Sequence, residues 1–309
     1  MNDTAKPDTN KQKKRKYVPG LAQLDFEPPF DWEKEEASRL YEKASFSVEK
    51  DKIHYGDCIK GMRSMAAASV DLIIADPPFG IDFSGKGSQY NRDASLVKDG
   101  YHEIDDDYGS FTKEWLGCLP RIMKTTSSAY IFSGWTNLGD ILNGLDEAGL
   151  SVVNHIIWKY QFGVFTKNKF VSSHYHVLFV VKDENNYFFN KYEYYPEDVW
   201  IIPRKYMPGQ EKNGTKLPED LVMRCINFSS KPGDLIFDPF IGNGTTATCA
   251  KGLYRHYAGF EMNKELQGLH QSNLEKVALG EFYRPLREFL PSIEELIEKY
   301  PHLKKYIDE

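Results

Sequence analysis

A chain of 309 residues can bury a sizeable core as one large α/β domain, and its hydrophobic and charged fractions of 41% and 27% exclude a disordered or fibrous class. No apolar run approaches the roughly 20 residues of a membrane helix, and no secretory signal is visible, so no membrane partner is expected. A net charge of −6 does not advertise a nucleic-acid partner, yet leaves one open because phosphates meet local basic surface, and the spacing of Cys58, Cys118, Cys225 and Cys249 fits buried thiols in a reducing compartment better than disulfides or zinc.

Residues 1–50 read as a peripheral segment. Its basic run Lys11-Gln12-Lys13-Lys14-Arg15-Lys16 fits a solvated tail more simply than a DNA contact or a nuclear address. Pro28-Pro29 marks a turn, and Trp32 to Lys43 fits one surface helix. Ile53 to Cys58 reads as a short strand ending in an acid, followed by a helix from Ile59 to Met65. Asp57 suits the N-cap of that helix. Val70 to Ala75 is a strand of the fully buried kind, and it runs into Asp76-Pro77-Pro78-Phe79. The prolines fix φ and remove two N–H groups, which leaves Asp76 and the carbonyls as acceptors at a strand's carboxyl end. Acceptors suit an exocyclic amine, and an aromatic ring suits a stacked base.

Residues 81–107 form a long polar, glycine-rich stretch with Lys86, Arg92 and Lys98, read either as a loop that closes over a nucleotide or as plain disorder. Helices from Tyr108 to Lys124 and Leu138 to Gly149 alternate with strands at Ala129–Phe132 and Val152–Trp158, the pattern of a parallel sheet with crossovers. His174-Tyr175-His176 introduces the strand Val177–Val181, and the two histidines share a strand face with no third ligand near in sequence, so no metal is expected. Between 182 and 212 the periodicity dissolves into tyrosines, phenylalanines and Trp200 interleaved with Lys191, Arg204, Lys205 and Lys212. That mixture suits nucleic-acid stacking or a small aromatic subdomain. A helix from Glu219 to Phe228 follows Pro218.

Asp234 to Phe237 is the next strand, and Asp238-Pro239-Phe240-Ile241-Gly242-Asn243-Gly244-Thr245-Thr246 turns it into a helix that stops at Gly252. The following strand, Tyr257 to Phe260, ends in Glu261, placed to take ribose hydroxyls about 20 residues past the turn. Alone, the segment also fits an ordinary strand–turn–helix. A helix from Lys264 to Leu279 completes this unit, and Ser292-Ile293-Glu294-Glu295 is a capping-box signature in a C-terminal extension, 281–309.

Asp76-Pro77-Pro78-Phe79 resembles the catalytic motif of S-adenosyl-methionine-dependent amino-methyltransferases of DNA, and Asp238-Pro239-Phe240 with Gly242 and Gly244-Thr245-Thr246 resembles their cofactor motif. The catalytic motif comes first, which matches the circularly permuted beta group. The resemblance spans about Ile53 to Leu274 and implies a doubly wound, mostly parallel α/β sheet of Rossmann-like type over 51–280, with 182–212 as an inserted target-recognition segment. It implies Asp76, Pro77, Pro78 and Phe79 as catalytic residues. It implies cofactor contacts from Asp57 with the adjoining Cys58, and from Thr215, Asp238, Phe240, Gly242, Asn243, Gly244, Thr245 and Glu261. Asp57 would face the adenine, Glu261 the ribose, and the glycine turn the methionine part. Family members often carry His-Pro-Thr-x-Lys-Pro before the 219–228 helix; this chain keeps Thr215 and Pro218 but departs at Asn213, Gly214 and Leu217. The implied activity is methylation of adenine N6 in double-stranded DNA, with cytosine N4 or a non-catalytic binding homologue as alternatives. Homodimers are common in that group. A cognate restriction enzyme and a cytoplasmic, nucleoid-associated place are further expectations.

Overall fold

The apolar run Val70–Ala75 forms a strand at the centre of the sheet, buried on both faces as its unbroken hydrophobicity requires. The computed structural model describes residues 29–78, 108–161, 167–204 and 216–306. Eight strands form one sheet: β1 (Lys52–Tyr55), β2 (Val70–Ala75), β3 (Met123–Ser133), β4 (Ser151–Lys159), β5 (His174–Val181), β6 (Val199–Ile201), β7 (Leu235–Asp238) and β8 (His256–Glu261). Their order is β1-β8-β7-β2-β3-β5-β4-β6, and β5 alone runs antiparallel to its neighbours. The expected mostly parallel α/β sheet is therefore what the chain forms.

Alternation along each strand sorts side chains into two cores. Ile73, Ala75, Ala129, Ile131 and Phe237 pack on one face against α2 (Cys58–Ser64), α3 (Tyr108–Ile122) and α4 (Leu138–Glu147). Leu72, Ile74, Tyr130, Phe132 and Ile236 pack on the other against α5 (Glu219–Ser229) and α6 (Thr245–Gly252). The cysteines divide the same way, Cys58 and Cys118 on the first face and Cys225 and Cys249 on the second, all buried and unbridged. No helix among the described residues is long and apolar enough to cross a membrane.

Two compact units arise. The larger comprises the described residues within 34–189 and 197–283. It includes α1 (Lys34–Lys43), grouped above with the peripheral segment: Ala37 is buried, and the Tyr41 ring stacks on the buried His256 at 3.8 Å between centroids. Among the described residues the smaller comprises 29–33, 190–196 and 284–306. Within it Arg287 pairs with Asp31 and Glu33, Asn190 exchanges two hydrogen bonds with the Phe30 backbone, and α8 (Ile293–Lys299) starts in the expected capping box of Ser292 and Glu295. Tyr194 and Tyr195 of the aromatic segment meet Tyr300 there, at 5.9 and 6.0 Å between centroids.

Several elements differ from expectation at their ends. Strand β3 starts at Met123, six residues before the apolar stretch, because it pairs with both β2 and β5. Strand β6 lies inside the segment read as lacking sheet pattern. Only three residues long, with Val199 and Ile201 exposed, it is too short to show alternation. The helix expected from Lys264 to Leu279 is a 3-10 turn followed by α7 (Gln267–Glu275).

Gly259 on β8 sits where the glycine turn folds back. A Cβ there would lie 2.4 Å from the Asp238 carbonyl oxygen and 2.4 Å from Ile241 Cγ1. Because one of those atoms is backbone, Gly259→Ala is expected to cost about 1–3 kcal/mol of stability. Urea unfolding, read as a lowered midpoint at unchanged slope, measures it.

Candidate active site

Parallel strands that share one sheet present their carboxyl ends along one edge. Here that edge gathers, from neighbouring strands, Asp57 after β1, Glu261 at the end of β8, Asp238 at the end of β7 and Asp76 after β2. Tyr55 pairs in register with Glu261, and the Gly56 N–H donates to the Glu261 carbonyl at 2.8 Å. Beside them Ile73 pairs with Phe237. Thus the two motifs, far apart in sequence, stand on adjacent strands.

Asp238 is 5% exposed and accepts from the Phe240 N–H at 2.8 Å and from Thr246 Oγ1 at 2.6 Å. Thr246, not Thr245, reaches the acid: at the second position of α6 its hydroxyl turns back under the loop, while Thr245 is buried with its carbonyl accepting from Thr248. Gly242 and Gly244 adopt left-handed φ of 54° and 83°, a conformation that disfavours any residue with a Cβ. The Gly242 N–H donates to Glu261 Oε2 at 2.9 Å, and the Asn263 N–H to Oε1 at 2.8 Å. Each Glu261 oxygen has therefore accepted one hydrogen and keeps acceptor capacity for another. Phe240 packs on α3, edge-on to Trp115 at 5.2 Å.

Asp57 caps α2, accepting from the Ile59 and Lys60 N–H groups at 2.8 and 3.3 Å through one oxygen. Its N-cap role is thus in place, with the second oxygen 3.7 Å from Lys60 Nζ. Burial, then the Asp57 charge, pushes the adjoining Cys58 thiol up to about 12, so it stays protonated. Phe79, Thr215 and the stretch 81–107 lie outside the described residues.

Asp76 is half-buried, Pro77 buried and Pro78 half-buried. Burial first, then the Asp238 charge, raises the Asp76 carboxyl to about 7, while Arg204 opposes the rise. Burial likewise raises Asp238 to about 7 against the pull of its Thr246 and Phe240 donors, with Glu261 adding to the rise. An edge carrying these acids favours a ligand with a positive centre, hydroxyls and an amine. Those are the features of a sulfonium nucleoside, and the donor set fits one.

Arg204, which sequence places in the 182–212 segment, is also near enough to Asp76 for its charge to act on that carboxyl. Its guanidinium is 4.5 Å from the Tyr160 ring centroid and 5.0 Å from those of Trp158 and Tyr175. Gln161 fixes its backbone, accepting from the Arg204 N–H at 2.9 Å. The β4–β6 pairing that brings it there had no visible signal. The histidines of β5 do not converge on a metal geometry: His176 Nδ1 meets His155 Nε2 at 2.7 Å, and no group of three or more His, Cys, Asp or Glu among the described residues can hold an ion.

The N6/N4 DNA methylase family model matches residues 70–271. The type II methyltransferase M.HinfI of Haemophilus influenzae is 31% identical over 72% of this chain and 67% of its own. The type II methyltransferase M2.DpnII of Streptococcus pneumoniae is 26% identical over 76% and 94%. Among solved structures, the M1.HpyAVI–SAM complex aligns with a TM-score of 0.55 at 23% identity, covering 72% of this chain and 98% of that one. The PvuII cytosine-N4-specific methyltransferase aligns at 0.52 and 14%, covering 76% and 98%.

The raised carboxyl of Asp76 sets a pH dependence. Its folded pKa exceeds the ordinary aspartate value, so the ionised group costs stability above about pH 7, and that cost fades as pH falls toward 4. Asp76→Asn should therefore be more stable than wild type at pH 8, by about 1–3 kcal/mol, with the difference vanishing near pH 4. Urea titrations of both proteins at several pH values check the sign.

Proposed function

Since the chain belongs to the N6/N4 family of DNA methylases, we propose that it moves a methyl group from S-adenosyl-methionine to the exocyclic N6 amine of adenine in double-stranded DNA, at a specific site. One observation carries the reading. Strands β2 and β7 are hydrogen-bonded neighbours, so the Asp76-Pro77-Pro78 turn and the Asp238–Gly244 turn open at the same edge. One offers acceptors to an amine. The other offers a tight backbone and carboxylates to a cationic nucleoside.

The cofactor supplies a methyl group already activated on a sulfonium, so the nucleophile needs orientation and charge stabilisation. An exocyclic amine is a poor nucleophile because its ring withdraws the lone pair, and the base must leave the stack to be reached. Asp76 and the Pro77 carbonyl would accept the two amine hydrogens and orient the nitrogen toward the activated methyl group. Negative charge at Asp76 would stabilise the nitrogen as it becomes cationic; the new carbon–nitrogen bond replaces the methyl–sulfur bond, whose electron pair stays on sulfur as a neutral thioether, and the proton that the nitrogen sheds would pass to the carboxylate. Phe79 stacks on the base in this reading. Glu261 takes the ribose, Asp57 the adenine, and Asp238 with Phe240, Gly242, Asn243, Gly244 and Thr245 orders the methionine end, with Thr215 beside it. An aspartate heading the catalytic tetrapeptide favours adenine, since the cytosine-N4 enzymes of the family more often carry serine there.

Target choice we assign to 182–212, and closure over the nucleotide to 81–107. Within the first segment Tyr192 and Trp200 are buried, whereas Tyr195, 63% exposed, is an aromatic that can meet DNA. A homodimer, a cognate restriction enzyme and a cytoplasmic place complete the proposal, the type II designation of both relatives supporting the second. Digesting methylated DNA to nucleosides decides the base: N6-methyladenine is expected, and N4-methylcytosine overturns the adenine assignment.

Two variants test the roles. Asp76→Ala should leave cofactor affinity within a few-fold and DNA binding intact, because phosphates supply most of that affinity. Its single-turnover rate with both substrates saturating should drop about 100- to 1,000-fold. Near wild-type turnover would remove Asp76 from the chemistry. Glu261→Ala should weaken the cofactor by about 10- to 100-fold in a calorimetric titration, the loss of charge-assisted hydrogen bonds. It also frees the Gly242 N–H, so part of that loss comes through the turn.

A further inference from the structure

Helix α7 packs behind the glycine turn, and two of its side chains, one helical turn apart, reach the turn's carbonyls. His270 Nε2 lies 2.7 Å from the Gly242 oxygen, and Asn273 Nδ2 donates to the Asn243 oxygen at 3.2 Å. A carbonyl only accepts, so Nε2 carries the proton of this histidine. Its Nδ1 then accepts from the Tyr55 hydroxyl at 2.8 Å, and the two rings lie nearly parallel, 5.8 Å apart. His270 is 2% exposed, and a Cβ on Gly244 would come within 3.2 Å of its ring. Tyr55 is the register partner of Glu261. One buried imidazole thus joins α7, the end of β1 and the turn after β7.

A trans peptide unit points its N–H opposite to its C=O. With the Gly242 carbonyl drawn toward α7 by His270, the Asn243 N–H is aimed away from α7. The Gly244 N–H is already used, donating to Ile241 at 2.9 Å. We infer that His270 is a positioning residue that aims the Asn243 N–H at the carboxylate of the amino-acid part of the cofactor, with Tyr55 fixing its tautomer. The inference rests on the methyl-donor reading above. It distinguishes His270 from a core histidine because it assigns the residue to one end of one ligand.

The test compares two ligands. S-adenosyl-homocysteine carries the amino-acid carboxylate, and methylthioadenosine has the same nucleoside without it. Their dissociation constants are measured by calorimetry for the wild type, His270→Phe, which keeps a buried ring without hydrogen bonds, and His270→Gln, whose amide can serve both partners. His270→Phe should bind S-adenosyl-homocysteine about 10-fold more weakly and methylthioadenosine within about twofold of wild type, and His270→Gln should restore most of the loss. Unchanged affinity for S-adenosyl-homocysteine, or an equal loss for both ligands, overturns the proposal. If His270→Phe does not fold, the wild-type Asn243 amide resonance decides: it should move with S-adenosyl-homocysteine and stay still with methylthioadenosine, and movement with both or neither overturns it. Wild-type protein that binds neither compound overturns the cofactor reading itself, a result unlike a selective loss.

Discussion

The pairing of β7 between β8 and β2 is the constraint on which the site depends. Three parallel strands with both faces covered can expose their loops only at their ends, and side-by-side hydrogen bonding keeps those ends within a few ångströms of one another. Asp76, Asp238 and Glu261 come from three such ends. Their separation in sequence is irrelevant to their distance in space. The helices on the two faces supply the apolar pressure that holds the strands in register, and the edge inherits its geometry from a core that takes no part in chemistry.

The same edge concentrates negative charge against its own preference. Burial and a neighbouring carboxylate, Asp238 for the first and Glu261 for the second, raise Asp76 and Asp238 well above an ordinary aspartate, and the protein answers with the Thr246 and Phe240 donors on Asp238 and the more distant Arg204 charge on Asp76. Arg204 is held against three aromatic rings, so its position follows from the cluster formed by β4, β5 and β6. A cationic ligand would offset the repulsion among these carboxylates. Stability and ligand affinity therefore draw on the same few carboxylates in opposite directions.

Much of this was legible in the residues. The run Val70–Ala75 could only be a strand buried on both sides, and its abrupt end in an acid and two prolines marked a loop at a sheet edge. Asp238 through Thr246 carried its turn in its glycines. Legibility failed where the signal is tertiary. Strand β6 is three residues at the sheet margin, and its reality lies in pairing with β4. Arg204 read as one cation among many because nothing local says that Trp158, Tyr160 and Tyr175 converge on it. His270 sits in a weakly patterned helix, and its partners come from β1 and from the turn after β7. Tyr194 and Tyr195 read as part of a nucleic-acid surface, yet they also help to pack a small C-terminal unit, since an aromatic ring serves either purpose.

The four cysteines acquire a use from their placement. Two belong to helices on one face of the sheet and two to helices on the other, each in a buried position where desolvation raises the thiol above its ordinary range. A buried, protonated thiol resists alkylation until the element covering it opens. The rate at which each cysteine is modified is then a clock for the opening of one layer. Cys58 and Cys118 time the layer of α2 and α3, and Cys225 and Cys249 time that of α5 and α6, so the sheet carries its own pair of breathing gauges, one on each side.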